Sequence, residues 1–360
     1  MKKILYIGRY NGIIGGIERY MQNSAELLRK NGFAVHYLYT ENGGRDQEKF
    51  VQSFDSIGIF SPENSLIASA DMVIIHNIIP PELLPVLPEN KTFFFAHDHN
   101  IYCQRHHYYF PVGRINCHRK YNKFICKVCS LGRNPAPPLA EYRKLPALVL
   151  SDFMKENLLK NGFEKVYKLP AFIRTAAAER NFMPDGILRI LFLGQLIRGK
   201  GADLMLKALA KLDIPFECTI AGDGKDRAML EKMVEKFKLR DKVHFAGFVS
   251  EPEKLWANCD VFFFPIRWQE PFGLVALEAM AHGVPVAAFD LGGVREHLTR
   301  ACGALVPEKD IAFAARSLTD FYLQPQLLKE LGANGLYLAE NKHSEEMFIK
   351  KFNELCEVLK

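Results

Sequence analysis

Short apolar runs recur along the whole chain and alternate with helical patterns. The runs are continuous rather than alternating with polar residues, which is typical of strands buried on both faces of a parallel sheet. Helix-period patterns stand between them, such as IERYMQNSAELLRKNG after Gly16 and ADLMLKALAKL after Gly201. The pattern therefore predicts alternating strands and helices, with strands at residues 3–9, 33–39, 71–76, 91–96, 146–151, 165–170, 189–195, 216–222, 242–247, 260–265 and 284–289.

Two similar stretches of sequence each begin a series of predicted strands and helices. KILYIGR at residues 3–9 and RILFLGQ at residues 189–195 are each followed by a glycine-containing loop and a helical pattern. Because each half begins its own sheet, we predict two doubly wound α/β domains joined near residues 171–187, where the apolar periodicity lapses. The predicted division is an N-terminal domain at 1–172 with an insertion at about 99–135, a C-terminal domain at 173–342, and a terminal helix at 343–360 that packs back toward the N-terminal domain.

Composition narrows the class of protein. The chain has 360 residues, 48% of them hydrophobic and 24% charged, as in a globular protein. No apolar run approaches the roughly 20 residues of a membrane span. The start, MKKILYIGRY, has too short an apolar stretch for a signal peptide and is interpreted as the first strand. We therefore expect a cytoplasmic protein.

Positive charge is concentrated in the predicted insertion. Between Asn100 and Lys144 the only acid is Glu141, and a field of this sign attracts phosphate on a nucleic acid, an anionic lipid or an acceptor. A solvated loop with no partner is the alternative. The basic residues are Arg105, Arg114, Arg119, Lys120, Lys123, Lys127, Arg133, Arg143 and Lys144.

The strongest candidate for a site is WQEPFGLVALEAMAHGVPV at residues 268–286, which follows a predicted strand and opens a helix at about Phe272. Gly273 in the first turn lets a ligand approach free backbone N–H groups, and a helix N-terminus favours a phosphate. Glu270 and Glu278 are carboxylates in apolar surroundings, which sugar hydroxyls would satisfy. The alternatives are a helix cap for Glu270 and an internal ion pair for Glu278.

His97 is a second candidate because it follows the strand KTFFFA. Ligands of open parallel sheets bind outside the carboxyl ends of the strands, which favours a functional role. A buried, satisfied histidine is the alternative.

Together these stretches resemble a known family. EPFGLVALEAMAHGVPV is similar to the E-x7-E region of retaining glycosyltransferases of family 4, which have the GT-B fold of two Rossmann-like domains facing across a cleft. The resemblance extends over nearly the whole chain and also includes GG at 15–16, HD at 97–98, GQLIRGKG at 194–201, AGDG at 221–224, HFAGFV at 244–249 and DLGGVREH at 290–297.

The resemblance implies roles for individual residues. It places Glu270 on the hydroxyls of the donor sugar, Glu278 on the nucleotide ribose, Lys200 on the diphosphate and His97 on the 6-hydroxyl of the donor sugar beside the reacting centre. His97, Glu270 and Lys200 are thereby the expected catalytic residues. The other expected donor-binding residues are Gly15, Gly16, Gln195, Arg198, Gly222, Phe248, Val249, Phe272, Gly273 and Leu274.

One position departs from the family. Gln195 stands where most members have an Arg that clamps the diphosphate, and a Gln supplies neither its charge nor its fork geometry. Arg198 is the expected substitute. The sequence contains no Asp-x-Asp, so no catalytic metal is expected, and Lys200, Arg198 and the helix N-terminus are expected to carry the leaving-group charge. The family chemistry is a front-face displacement in which the departing phosphate accepts the proton of the attacking hydroxyl.

Four of the eight cysteines lie within 27 residues, at Cys103, Cys117, Cys126 and Cys129. Four thiolates in one loop could close a tetrahedral structural zinc site, although the spacing is not that of a standard zinc finger and nearby histidines are further candidate ligands. Reduced thiols without metal and a redox pair are the alternatives.

The leading prediction is a glycosyltransferase of hexosyltransferase type that uses a UDP- or GDP-sugar. The expected acceptor is a glycan or a lipid-linked molecule of bacterial surface polysaccharide synthesis, with retention of the anomeric configuration and peripheral contact with the inner face of an anionic membrane. A GT-B epimerase or phosphorylase is one alternative. A zinc-containing nucleic-acid-binding protein is another, but it would explain only the cysteine-rich segment; the leading prediction expects no nucleic-acid partner.

Overall fold

The structure is a computed structural model that describes residues 2–110, 115–132, 134–175, 180–249 and 251–357. The chain divides into two compact units, Met1–Ala171 with Glu345–Lys360, and Phe172–Ser344. Arg114 and Arg133 of the predicted basic segment lie outside the described residues. Among the described residues, no helix has the length and apolar character to cross a membrane.

The first unit is built on a seven-stranded parallel sheet with the order β3-β2-β1-β4-β5-β8-β9. The strands of this unit are β1 Lys3–Tyr10, β2 Ala34–Glu41, β3 Ser56–Ile59, β4 Met72–Ile75, β5 Thr92–Phe95, β6 Tyr109–Phe110, β7 Ile115–Asn116, β8 Ala147–Val149 and β9 Val166–Lys168, with β6 and β7 forming a separate antiparallel pair. Its helices are α1 Gly16–Lys30, α2 Gln47–Val51, α3 Ser65–Ser69, α4 Lys123–Cys129, α5 Leu139–Tyr142 and α6 Asp152–Lys160.

The second unit has a six-stranded parallel sheet with the order β12-β11-β10-β13-β14-β15. Its strands are β10 Leu188–Leu193, β11 Phe216–Ala221, β12 Val243–Gly247, β13 Val261–Phe264, β14 Val286–Phe289 and β15 Gly303–Val306. Its helices are α7 Ala202–Leu209, α8 Arg227–Lys236, α9 Glu253–Trp256, α10 Leu274–Ala281, α11 Ile311–Leu323 and α12 Pro325–Lys342.

The continuous apolar runs explain both sheets. All four residues of β4, β5, β13 and β14 are buried, as expected for central strands covered on both faces. The predicted class, two doubly wound parallel-sheet domains, is confirmed. The hydrophobic pattern alone did not predict β3, β15, α11 or α12.

The terminal helix α13, Glu345–Glu357, belongs to the first unit although it follows the second along the chain. Phe352 is fully buried, and its ring meets the ring of Phe33 edge-on at 5.4 Å between centroids. The apolar face of α13 thus completes the core of the first unit.

Candidate functional site

In the second unit, the order of the strands marks one edge of the sheet as a place for a ligand. β10 lies between β11, the next strand along the chain, and β13, which pairs with it through Ile190 and Leu191. The direction of strand progression therefore reverses between β10 and β13, and ligands of doubly wound sheets bind at such a reversal, outside the carboxyl ends of the strands. The loop after β10 carries Lys200, and the loop after β13 carries Glu270.

Lys200 and Glu270 form an ion pair at this edge. Lys200 Nζ lies 3.1 Å from Glu270 Oε2, and the two side chains retain 25% and 16% of their exposure. The ammonium also lies 5.7 Å from the ring centroid of Trp268 and 5.8 Å from that of Phe264, within the range of cation–π attraction. A partly buried cation is thus fixed beside a carboxylate, where it can neutralise a bound anion.

The glycines of DLGGVREH support the loop that carries Glu270. Gly293 N–H donates to the carbonyl oxygen of Glu270 at 2.7 Å. A Cβ at Gly293 would lie 2.2 Å from the carbonyl oxygen of Pro271, and one at Gly292 would lie 2.3 Å from that of Glu270. Only residues without side chains allow this approach, so the two glycines fix the backbone of Glu270 and Pro271.

The helix after this loop, α10, begins at Leu274 with Gly273 as its N-cap in the left-handed conformation (φ 90°). The predicted start at about Phe272 is thus two residues early. Phe272 is buried, and its ring lies 4.6 Å from that of His297. Burial lowers the pKa of His297 to about 3, so this ring is neutral beneath the N-terminus of α10. Glu278 is half-buried within α10.

The remaining donor-binding candidates of this unit lie at the same edge of the sheet. Gln195 and Arg198 are exposed after β10, and Arg198 begins a 3-10 turn that ends at Lys200. Gly222 follows β11 and donates its N–H to the carbonyl oxygen of Gly247 at 2.6 Å. Phe248 and Val249 follow β12, and 54% of Phe248 is exposed. The edge therefore brings together the carboxyl ends of β10, β11, β12 and β13.

In the first unit, the sheet reverses between β1 and β4, and the loop after β1 contains Gly15 and Gly16. Glu18 closes this loop: its Oε2 accepts the Gly15 N–H at 3.0 Å, as in a capping box. Burial raises the pKa of Glu18, while hydrogen bonds from the Gly15 and Ile14 N–H groups and from Asn77 lower it in part. A Cβ at Gly15 or Gly16 would meet no atom within 4 Å, so the loop borders open space.

His97 follows β5 and contacts His76, which follows the neighbouring β4. The distance from His76 Nδ1 to His97 Nε2 is 3.0 Å, and the His97 ring stacks on that of Phe95 with centroids 4.3 Å apart. Burial lowers the pKa of His97 to about 3, which makes it neutral at physiological pH. Asp98 accepts hydrogen bonds from the N–H and the side-chain amide of Asn100 at 2.9 and 2.7 Å, and burial raises the pKa of Asp98 to about 6.

The four cysteines predicted to bind zinc lie in two places in the first unit. All four side chains are thiols, and no group of three or more His, Cys, Asp or Glu is arranged to hold a metal within the part of the chain that the structure describes. Cys103 and Cys117 pack against the apolar core of the first unit, whereas Cys126 and Cys129 lie on α4. Burial raises the pKa of the Cys103 thiol, and its neighbours Cys117 and Cys126 raise it further, so these thiols are near one another without converging on one point.

His76, Glu18 and Trp268 also contact the candidate residues, although none of the three was predicted from the sequence. His76 had a usable signal, because it directly follows β4 much as His97 follows the neighbouring β5. Glu18 had the capping-box position three residues after Gly15. Trp268 lies within the stretch that was singled out, but nothing in the sequence indicates that its ring contacts Lys200.

Residues 174–336 match the family described as "Glycosyl transferases group 1". The matched range lies in the second unit and contains Lys200, Glu270, Glu278 and both glycines of DLGGVREH.

Individual proteins are similar over parts of the chain. An uncharacterized glycosyltransferase of Methanocaldococcus jannaschii is 40% identical over 111 residues, which are 30% of this chain and 28% of that protein. The O-antigen biosynthesis glycosyltransferase WclY of Escherichia coli is 32% identical over 148 residues, 41% of each chain. The chain thus spans less than half the length of these two curated relatives.

The fold as a whole has known counterparts. A crystal structure of Alr3699/HepE of Anabaena in complex with UDP superimposes with a TM-score of 0.77 at 16% identity, over 99% of this chain and 100% of the other. This likeness confirms the predicted GT-B fold.

Proposed function

We propose that this chain, which has a GT-B fold and whose residues 174–336 match the group 1 glycosyl transferases, transfers a sugar from a nucleotide-sugar donor to an acceptor hydroxyl. The family match supports the predicted class, a glycosyltransferase. It does not favour the epimerase, phosphorylase or nucleic-acid-binding alternatives. The nature of the donor and the acceptor, and retention at the anomeric carbon, are further parts of the proposal.

The observation that carries this proposal is the Lys200–Glu270 pair at the reversal point of the second sheet. The cation suits the diphosphate of a nucleotide sugar, and the carboxylate suits the hydroxyls of the sugar beside it. The N–H groups at the start of α10 add a positive partial charge next to both. One edge therefore offers complementary groups for the charged and the neutral halves of a sugar diphosphate.

The proposed reaction is a front-face displacement. The bond between the anomeric carbon and the diphosphate oxygen breaks, and the acceptor oxygen bonds to that carbon from the same face. The acceptor's proton passes to the departing phosphate. Lys200, Arg198 and the N-terminus of α10 stabilise the charge that develops on the diphosphate, and the neutral His97 contacts the donor sugar.

A UDP-sugar is the donor that we favour. The UDP complex of the Anabaena protein supports this choice, and a GDP-sugar is the alternative. In this proposal, Glu278 binds the ribose, Gly222, Phe248 and Val249 lie near the base, and Gln195 lies beside the diphosphate with Arg198. The O-antigen role named for the E. coli relative supports a place in surface-glycan synthesis.

We assign acceptor binding to the first unit, with help from a surface on α4. This α4 surface consists of four exposed apolar residues, Phe124 (77% exposed), Ile125 (44%), Val128 (61%) and Leu131 (66%), and the exposed cations Lys120, Lys123 and Lys127. Exposed apolar side chains with cations close to them along the chain suit the interface of an anionic membrane, where a lipid-linked acceptor would reside. The proposed location is the inner face of such a membrane.

Structural zinc in the cysteine-rich segment stays a proposal, and no step of the reaction depends on it. Cys117 and Cys126 raise the pKa of the Cys103 thiol, which indicates that these sulfur atoms are close enough to support the proposal. The thiols would have to move closer together to bind the ion. Metal analysis of protein purified without chelator tests it: one equivalent of zinc that is lost in Cys126→Ser and kept in Cys218→Ser would support the site, and zinc-free protein would exclude it.

The function itself is tested by incubating the protein with UDP-, GDP- and ADP-sugars and measuring thermal stabilisation, donor hydrolysis and transfer. A donor that binds the native state stabilises it by mass action. We expect one nucleotide class to stabilise the protein, with the effect lost in Lys200→Ala, and the product linkage to keep the anomeric configuration of the donor. Failure of all three classes to bind would overturn the proposal.

A further inference from the structure

Two histidines from neighbouring strands share one hydrogen bond in the first unit. β4 and β5 are adjacent and parallel, so His76 and His97, which follow them by one and two residues, meet at the same edge of the sheet. His76 Nδ1 lies 3.0 Å from His97 Nε2, and the rings are nearly parallel, with an interplanar angle of 22° and centroids 5.3 Å apart. The orientation of each ring is thus tied to that of the other.

The surroundings of the pair keep it neutral. His76 is 1% exposed and lies against the ring of Tyr6 from β1 at 4.3 Å and that of Phe95 from β5 at 5.4 Å. Tyr20 of α1 lies 5.3 Å from His97. Burial lowers the pKa of both histidines and raises that of both tyrosines, so all four rings are uncharged at physiological pH. The nearest acidic neighbour along the chain is Asp98.

The unshared nitrogens of the pair differ in their surroundings. His76 Nε2 is buried and has no hydrogen-bond partner among the residues that the structure describes. His97 is only half-buried, and its Nδ1 is the remaining polar atom of the pair. A neutral imidazole carries one proton, and the shared bond needs an N–H from one ring and a bare nitrogen from the other.

Two arrangements satisfy the shared bond. If His97 Nε2 donates, the proton of His76 must be on Nε2, which buries an N–H donor without an acceptor. If His76 Nδ1 donates, His76 Nε2 is bare and His97 carries its proton on Nδ1. Orphaned N–H donors are rare in protein interiors, which favours the second arrangement.

We infer that His76 is a positioning residue that holds His97 as the neutral Nδ1–H tautomer, so that His97 presents a hydrogen-bond donor to an oxygen of the bound substrate. The role of this donor rests on the proposed function, in which His97 contacts the donor sugar. In that role His97 can stabilise an oxygen that is hydroxyl-like or gains negative charge, and it is not available as a cation or as a proton-accepting base.

The tautomer can be measured without any substrate. In protein labelled with ¹⁵N-histidine, long-range ¹H–¹⁵N correlations distinguish a protonated ring nitrogen from a bare one, and the His97 signals are identified by their loss in His97→Gln. We expect a protonated Nδ1 and a bare Nε2 for His97 near neutral pH. The opposite pattern, or a charged ring, would overturn the inference even if the protein transfers sugar.

Variants then test the role of His76. His76→Phe keeps an aromatic ring but removes the donor, and His97 should lose its fixed tautomer. His76→Asn can place an amide N–H near the position of Nδ1 and should restore it. The matched control is His36→Phe, because His36 pairs with Ser56 on other strands and should leave the His97 signals unchanged.

Once the substrate is identified, the same variants should show whether His76 positions His97 for catalysis or only stabilises the fold. We expect His76→Phe to lower kcat about tenfold with little change in the KM of the donor, and His76→Asn to recover most of the loss. An unaltered kcat in folded His76→Phe would overturn the role in catalysis. If no sugar transfer is found at all, the proposed function fails while the spectra still decide the tautomer.

Discussion

Lys200 Nζ lies 3.1 Å from Glu270 Oε2, although 70 residues separate them along the chain. The pairing of β10 with β13 produces this contact, and the glycines of DLGGVREH hold the Glu270 backbone in place. The fold itself therefore brings the two side chains together. A bound diphosphate would compete with Glu270 for the ammonium and release the carboxylate toward the sugar hydroxyls.

Replacing Lys200 should show whether UDP binding depends on this particular lysine or only on the net charge of the protein. We expect Lys200→Ala to weaken UDP binding roughly 10- to 100-fold, because a hydrogen bond to a charged group contributes about 1.5–3 kcal/mol. Isothermal titration calorimetry measures this directly. The control is Lys207→Ala, which removes an equal charge from the exposed face of α7. Equal affinities in the two variants would remove Lys200 from the site.

A side chain on Gly16 should affect ligand binding and not folding. Gly16 is the first residue of α1, and a Cβ there would meet no protein atom within 4 Å. Since alanine favours helix over glycine by about 1 kcal/mol, Gly16→Ala should leave stability unchanged or raise it slightly. If the donor phosphates approach this backbone as proposed, the added methyl group should weaken UDP binding about tenfold or more.

Gly32→Ala provides the contrast for this prediction. Gly32 has a φ of 84°, which an alanine adopts only with strain, so this variant should lose about 1 kcal/mol of stability and keep its affinity for UDP. Circular dichroism and calorimetry on both variants give the comparison. A stable Gly16→Ala protein with unaltered affinity would exclude the glycine loop from the phosphate site.

The Asp98 carboxyl should make the stability of the first unit depend on pH. Its pKa in the folded protein is raised to about 6, above the value of about 4 for an unfolded aspartate. The native state therefore holds more protons than the unfolded state between these values, and its stability falls as the pH rises from about 4 to 6. By linkage the total change is at most about 2–3 kcal/mol.

Asp98→Asn removes this ionisation with little change of shape. The difference in stability between the variant and the wild type should grow from pH 4 to pH 6 and then level off. Both tryptophans, Trp256 and Trp268, lie in the second unit, so fluorescence would not report on this effect. Hydrogen exchange of the β5 amides is the suitable measurement, and the exposed Asp213→Asn is the control. A difference independent of pH would contradict the raised pKa.

The sequence could predict the two sheets and the loops that carry the candidate groups, because buried parallel strands leave a strong local signal and ligands collect at their carboxyl ends. It could not predict contacts that depend on the order of the strands. The support of Glu270 by Gly293 and the bond between His76 and His97 arise only when loops from different strands meet. The cysteine spacing could not predict the surroundings of the thiols for a related reason: Cys103 and Cys117 pack against the core, while Cys126 and Cys129 lie on a short helix.

The α4 surface yields a prediction about membranes. Each cation near an anionic bilayer contributes about 1 kcal/mol, so reversing two of them should weaken binding by at least 10-fold. Lys123→Glu with Lys127→Glu should therefore release the protein from vesicles that contain phosphatidylserine, as measured by co-sedimentation at physiological salt. The matched control reverses Lys232 and Lys236, which have the same four-residue spacing on α8 of the second unit and are also exposed. Replacing Phe124 and Val128 by serine tests the apolar half of the surface, since neither side chain is buried and the fold should tolerate the change.

The outcomes distinguish a local contact from an effect of net charge. If both pairs of charge reversals weaken vesicle binding equally, net charge alone governs the attraction and the α4 surface has no special role. If only the α4 pair weakens binding, and the serine variant also dissociates from the vesicles, the contact is local and uses both charge and apolar insertion.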